Sequence, residues 1–369
     1  MIPLSTTIDT TPPRTDAWDH LCDRVGASPF VRPSWMLPWY EAFDRSGACF
    51  VTASTGGELV GVLALVRRFG SLFSATNWHS PIYSAVARDA EVESALLKAA
   101  MHAAPALVLR FVTAESQTAT SFAAVGETSR LSLHTRRLLE SPRVEIHEPW
   151  DTYEKGLSKS MLKTLRRRSR RLEELGEIEI EVVTDAKRAE ARLTEGLELE
   201  RAGWKGRNGT AIAVDPRVAR FYGQVVASAA DSSRLSLAFL RLNGRAIAFH
   251  LDLVDDGVLY GLKGTYAEDL GQFSPSRILR HERIKQAFAD GLGRYEFLGA
   301  DEPYKADWAN ATTDLEVFQA YQRSVTGRIA ELAGTHGRQV ALRLRAARAT
   351  VLARRSRRGK QALPAENDH

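Results

Sequence analysis

The stretch LSLAFLRLNGRAIAFHLDLVDDGVLYGLKGTY, residues 235–266, leaves the chain few folds to choose from. Three strand-like runs are cut by Asn243-Gly244 and by Asp255-Asp256-Gly257. Tight hairpin turns need positive φ at successive residues, which Asn, Asp and Gly reach most easily. The spacing therefore predicts three consecutive antiparallel strands. Downstream, GQFSPSRILRHERIKQAFADGLGRYEFLG places Ser274 as an N-cap, Pro275 at the first helical position and Gly291 as a stop. A further strand, Tyr295 to Leu298, follows. Three antiparallel strands, a helix and a strand make an α+β arrangement with a mixed sheet, which excludes a doubly wound nucleotide fold.

The first half repeats the device. CFVTA and ELVGVLALV flank STGG, and Pro33 precedes an aromatic helix candidate, SWMLPWYEAF. Setting Gly57 on Gly244 aligns GELVGVLAL with GRAIAFHLD at an offset of 187 residues, about half of the 369-residue chain, which suggests a duplication. Length favours two domains as well. The expected divisions are residues 1–150, 151–323 and a basic carboxy-terminal segment, 324–369. Between the halves, SKSMLKTLRRRSRRLEELGEIEIEVV reads as a basic helix ending near Gly176, followed by a strand.

Charge is unevenly spread. Residues 324–369 hold ten Lys/Arg against three Asp/Glu, a sum of +7, so the remainder of a chain with net charge +5 carries −2. Polyanion binding is thus favoured only at two clusters, Lys155 to Arg171 and the tail. In the tail, Val340, Leu344, Ala347 and Val351 share one helical face flanked by arginines, predicting an amphipathic helix that docks on its own protein or touches an anionic membrane, and then a disordered end. No apolar run approaches the roughly 20 residues that span a bilayer, and the amino terminus lacks the order of a secretion signal, so a cytoplasmic location is expected. Cys22 and Cys49 have no paired spacing and read as free thiols. The histidines form no HxxxH-type set, so no metal site is expected; Walker and GxSxG motifs are missing.

Five segments carry a family resemblance: LRRRSRRLEELG (165–176), ERAGWKGRNG (200–209), GRAIAFHLDL (244–253), SPSRIL (274–279) and GADEPYKADW (299–308). In this order they resemble the acetyl-CoA-binding half of the GNAT acyltransferase superfamily, and more narrowly the CelD/BcsL-type acetyltransferases associated with cellulose biosynthesis and related to Fem-type tandem GNAT proteins. The first half resembles the degenerate amino-terminal repeat of that group. The resemblance implies tandem GNAT-like domains with mixed, largely antiparallel sheets, and acyl transfer from acyl-CoA, usually acetyl-CoA, to an amine or hydroxyl of a sugar or small metabolite. A link to exopolysaccharide or envelope synthesis goes with it. Its Fem relationship admits aminoacyl-tRNA as an alternative donor, with tRNA or another polyanion held by the basic helix 159–171, although a charged helix face is ordinarily just solvated. A catalytically degenerate pair serving as a binding scaffold is the other alternative.

Candidate site residues follow from these segments. Free amides and the dipole at a helix start favour anions, and the resemblance puts the CoA pyrophosphate at Gly271, Ser274, Ser276 and Arg277. Ser276 stands where the family carries glycine, which removes room for close phosphate approach. For catalysis, His250 titrates near neutrality in its ordinary state, Tyr304 can return a proton to a thiolate, and Lys305 can hold an anion. Trp204, Lys205, Asp252, Asp301 and Trp308 are the expected substrate contacts. Tyr260 and Lys263, of opposite parity on one strand, should face opposite sides of the sheet. The competing reading of Asp301 to Trp308 is a loop clamp in which Lys305 pairs with Asp301 or Asp307.

Overall fold

In the computed structural model, which describes residues 3–334, the turn residues do what their backbone freedom allows. Asn243 and Gly244 sit at φ 49° and 78°, Asp256 and Gly257 at 47° and 71°, and Gly56 and Gly57 at 61° and 83°. Each pair closes a hairpin, because two successive left-handed residues match the twist of the flanking strands.

Thirteen strands result: β1 (Leu4–Asp9), β2 (Ala48–Thr55), β3 (Glu58–Arg68), β4 (Ser71–Ser74), β5 (Val86–Ala87), β6 (Ala106–Thr113), β7 (Ser132–Glu145), β8 (Ile178–Val183), β9 (Leu235–Leu242), β10 (Arg245–Asp255), β11 (Val258–Tyr266), β12 (Arg294–Glu296) and β13 (Ala311–Tyr321). Adding 187 to the bounds of β2 and β3 gives those of β9 and β10. The duplication inferred from the two hairpins therefore extends to strand length.

All thirteen strands belong to one sheet, in the order β1-β2-β3-β4-β6-β13-β7-β12-β11-β10-β9-β8, with β5 attached to β3. The order is a palindrome about the β13–β7 pair. On each side an antiparallel meander ends in a parallel pair, β4 with β6 and β11 with β12. The final strands are exchanged: β7, which follows β6 in the chain, pairs with β12, while β13, which follows β12, pairs with β6. The two exchanged strands then pair antiparallel along the whole of β13, from Ala311 opposite Arg143 to Tyr321 opposite Ser132.

The halves also share a core. The helix Pro33–Phe43 packs against the helix Pro216–Asp231, with Trp35 edge-on to Phe221 at 5.2 Å, and Phe30 meets Tyr260 at 5.3 Å. Beside these rings, buried Asp255 accepts from Arg32 Nε (3.1 Å) and Arg234 Nε (2.9 Å), an ionic tie across the junction. A second core lies under the other face of β9–β12, beneath the helix Pro275–Ala289, and contains Leu279, Ile284, Tyr295 and Trp308. The basic segment forms the helix Lys159–Glu173, which buries Leu162, Leu165 and Leu172 and exposes all its cations but the half-buried Arg168. Both cysteines are buried free thiols. Val340 to Val351, the stripe expected of the carboxy-terminal helix, lies outside the described residues.

Candidate active site

The cavity follows from how two parallel strands part. β11 and β12 pair only through Val258–Arg294, Leu259–Tyr295 and Tyr260–Glu296. Beyond that point β11 runs on to Tyr266, whereas the other chain turns away through Leu298 (φ 55°) and Gly299 (φ 69°). Two strands that diverge leave a gap through the sheet. Here it is a cavity of about 580 Å³. The helix Pro275–Ala289 bounds one face, and on the other Tyr222 from the second half meets Trp78, His79, Pro81 and Phe111 from the first.

Of the residues singled out in the sequence, His250, Tyr304, Lys305, Gly271, Ser274, Ser276, Arg277, Trp204, Lys205 and Asp252 line this cavity. Asp301 and Trp308 do not. Asp301 is exposed on the loop. Trp308 is 1 % exposed because Pro303–Ala306 coil into a helical turn that directs its indole into the second core, where its carbonyl accepts from Tyr153 Oη. Tyr260 packs in the core against Phe30, while Lys263 lines the cavity.

His250 and Asp252 point to the face covered by the helix Pro275–Ala289. The imidazole Nε2 lies 3.3 Å from Ser276 Oγ, and Gly264 permits the close approach, since a Cβ there would meet the ring at 3.0 Å. Burial, with Arg280, Arg283 and Lys205 nearby, depresses the His250 pKa well below its usual value, so the ring is neutral at pH 7. It serves better as a hydrogen-bonding wall than as a proton store. Asp252 has the opposite perturbation. Burial pushes its carboxyl up to about 6, against the pull of Arg283, whose Nε donates to Oδ2 at 3.3 Å. Oδ1 has no partner. A carboxylate titrating just below neutrality, with one oxygen unused, is the stronger general base of the two.

The Tyr304 phenol, raised to about 12 mainly by desolvation, keeps its proton at neutral pH and faces the cavity as a donor. Lys305, by contrast, is committed. Its ammonium donates to the carbonyls of Leu298 (2.7 Å) and Ala300 (2.9 Å) and pairs with Glu302 at 3.0 Å. It clamps the loop, though through these groups rather than through Asp301 or Asp307.

Donor-side charge also differs from the expectation. Arg277 donates to Asp307 Oδ2 at 2.8 Å, so its charge is spent within the protein. One helical turn on, Arg280 lies over the rings of Phe297 (5.5 Å) and Tyr304 (5.0 Å), with no carboxylate of the described residues at ion-pair distance. The i, i+3 spacing brings both arginines to the same face, and only the structure shows which is free. The helix start offers a poor amide cradle. Ser274 caps it in the left-handed region, Pro275 has no N–H, and the amides of Arg277 and Ile278 turn back on the Ser274 carbonyl. Ser274 Oγ itself accepts from Arg168 of the basic helix. On this face Arg280, rather than a cluster of backbone amides, is the group left open among the described residues. Among the described residues no group of His, Cys, Asp or Glu is arranged to hold a metal ion.

Residues 159–306, which build the cavity except for its first-half wall, match the family profile described as Acetyltransferase (GNAT) domain. The second half contains a GNAT domain. No curated protein matches the sequence. The fold is similar to that of FemX (TM-score 0.56, 13 % identity, 85 % of this chain and 96 % of that one) and of a DUF2156 domain from Agrobacterium fabrum (0.55, 14 %, 87 % and 97 %). L-PGS from Bacillus licheniformis is a further neighbour (0.51, 13 %, 79 % and 93 %). The chain thus has a mixed-sheet α+β GNAT fold. In the first half the place corresponding to the cavity, beside β4 and β6, is plugged by Tyr83, whose amide donates to the Phe111 carbonyl and whose hydroxyl donates to the Ala64 carbonyl.

Proposed function

We propose that the protein transfers an acyl group from a thioester donor, acyl-CoA, to an amine or hydroxyl of a sugar or other small polar metabolite. The observation that carries this reading is the cleft that passes through the sheet of the GNAT domain, holding a neutral phenol, a carboxylate with raised pKa and a cation free to take phosphate. The acceptor nitrogen or oxygen attacks the thioester carbonyl and loses its proton to Asp252. The carbon–sulfur bond breaks, and Tyr304 returns a proton to the departing thiolate, so charge and protons balance. Arg280 holds donor phosphate, and Lys305 keeps Tyr304 and Glu302 in place by clamping the loop between them and Leu298. A sugar acceptor would agree with the resemblance to the cellulose-associated group.

A second reading, aminoacyl transfer from tRNA, has one observation in its favour. The helix start lacks an amide cradle for pyrophosphate, while the helix Lys159–Glu173, joined to the cavity mouth by the Arg168–Ser274 hydrogen bond, exposes Lys159, Lys163, Arg167 and Arg170. Calorimetry of the full chain with acetyl-CoA, longer acyl-CoAs and aminoacyl-tRNA separates the two. Acyl-CoA binding that falls about tenfold in Arg280→Leu and little in Arg277→Leu supports the first reading, a tenfold loss being the size expected for one charge-assisted contact. Binding only of aminoacyl-tRNA replaces it with the second. Binding of neither overturns both and leaves a non-catalytic scaffold.

A further inference from the structure

The cavity face opposite the helix Pro275–Ala289 carries a positive charge that the protein itself does not neutralise. Lys205 Nζ is balanced by Glu200 Oε1 at 2.9 Å and also donates to the Gly264 carbonyl at 2.9 Å. The second oxygen of Glu200 accepts from the Ile212 amide, so that carboxylate is fully used. His79, with Nδ1 3.2 Å from Tyr222 Oη, is held neutral because burial lowers its pKa to about 4. Lys263 remains. Its ammonium lies 5.5 Å from the centroid of the Tyr222 ring, and no carboxylate, carbonyl or hydroxyl of the described residues accepts from it. A ring face offsets part of the cost of removing an ammonium from water, and an anion would offset far more. Burial and Lys205 bring its pKa down to about 8, which leaves it mostly charged at pH 7.

A second feature marks the same cavity. Of the seven tryptophans, four are buried and Trp150 is half-buried; the two exposed ones, Trp78 at 64 % and Trp204 at 47 %, both line the cavity. Trp78 comes from the first half, propped edge-on against Phe111 at 5.3 Å, and Trp204 from the second. Exposed indoles grouped at a cavity offer flat apolar faces to a ring.

We infer that this face is the acceptor subsite and that it selects an anionic sugar, with the carboxylate or phosphate on Lys263 and the ring against the indoles of Trp78 and Trp204. The inference rests on the acyl-transfer reading and names its acceptor class. It also gives the first half a task in recognition, since that half supplies Trp78 and His79.

The test is acceptor binding to the full chain at pH 7 with no donor present, followed by calorimetry and tryptophan fluorescence, with glucuronate, glucose 6-phosphate and neutral methyl glucoside. At least one anionic sugar should bind about tenfold more tightly than methyl glucoside, the advantage of one charge-assisted contact. Glucuronate against glucose 6-phosphate decides between carboxylate and phosphate. Lys263→Met should abolish the advantage without altering methyl glucoside binding, Lys263→Arg should keep part of it, and Trp204→Ala should weaken all three sugars together. An anionic advantage that survives in Lys263→Met, or wild-type protein that binds neither anionic sugar better than the neutral one, overturns the inference. Because no donor is present, that failure leaves acyl transfer standing, whereas a failure of donor binding would leave these sugar affinities unchanged.

Discussion

Replacing Lys305 with methionine separates a loop clamp from a catalytic group. Lys305 is 5 % exposed, and its ammonium satisfies two carbonyls, those of Leu298 and Ala300. Methionine keeps most of the volume and donates to neither. Each buried carbonyl left without a donor costs about 1–3 kcal/mol. The Glu302 contact adds at most about 1 kcal/mol, because that carboxylate is 55 % exposed and screened by water. Relief of Leu298 from its positive φ returns about 1 kcal/mol if the loop lets go. The net loss is about 3 kcal/mol, and with an unfolding entropy of about 2.1 cal/mol/K per residue a 369-residue chain loses roughly 1.3 °C per kcal/mol, so Tm should fall by about 4 °C. Thermal melting by circular dichroism measures that loss, and hydrogen exchange should show faster opening confined to residues 298–306. Turnover should drop as well, since Tyr304 and Glu302 ride on the same loop. A Tm within about 1 °C of wild type, with unchanged exchange and lost turnover, would refute the clamp and return Lys305 to a direct part in the reaction.

Two further outcomes follow from buried charge. Asp252→Asn should lower turnover by about a hundredfold or more, the scale of a lost general base, and should remove a limb in the pH–rate profile on which wild-type activity rises with pH through about 6. In stability, the Asp252 carboxyl binds its proton more tightly folded than at the ordinary value of 3.8, so its contribution is present below that value and is lost as pH rises through about 6; pH-dependent melting of the Asn variant should lack this slope, and an unchanged slope would rule the carboxylate out. Asp255→Asn removes the shared acceptor of Arg32 and Arg234 at the junction of the halves and should cost about 3 kcal/mol by stranding buried charge; chemical denaturation that finds no change would show that the tie is carried by the Arg234–Asp23 pair instead.

What could be read in the sequence is what local chemistry decides. Asn243-Gly244 and Asp256-Gly257 announce their hairpins because only a few residue types tolerate positive φ, and Pro275 announces a helix start because it cannot donate. Partners escaped the reading for the opposite reason. Arg277 and Arg280 are a turn apart on one helix, and which of them is free depends on Asp307, thirty residues away. Asp252 and His250 alternate on one strand, yet their proton affinities are set by Arg283 and by the depth of a core that no local pattern reveals. Trp308 reads as a pocket wall until the turn at Pro303–Ala306 swings it inward. The first-half residues Trp78 and His79 carry no motif, and only the shared sheet brings them to the second-half cavity.

The exchange of β7 and β13 has a consequence for how the chain is made. Ala106 of β6 is opposite Tyr321 of β13, so a strand from the first half must wait for almost the whole described polypeptide before its neighbour exists. Until then β6, apolar at nearly every position, is a bare sheet edge on a growing chain, the kind of surface that recruits wrong partners. Fragments cut near residue 150 inherit that edge permanently. Each would hold the strand that belongs to the other, and two such fragments should find each other more readily than either finds a fold of its own.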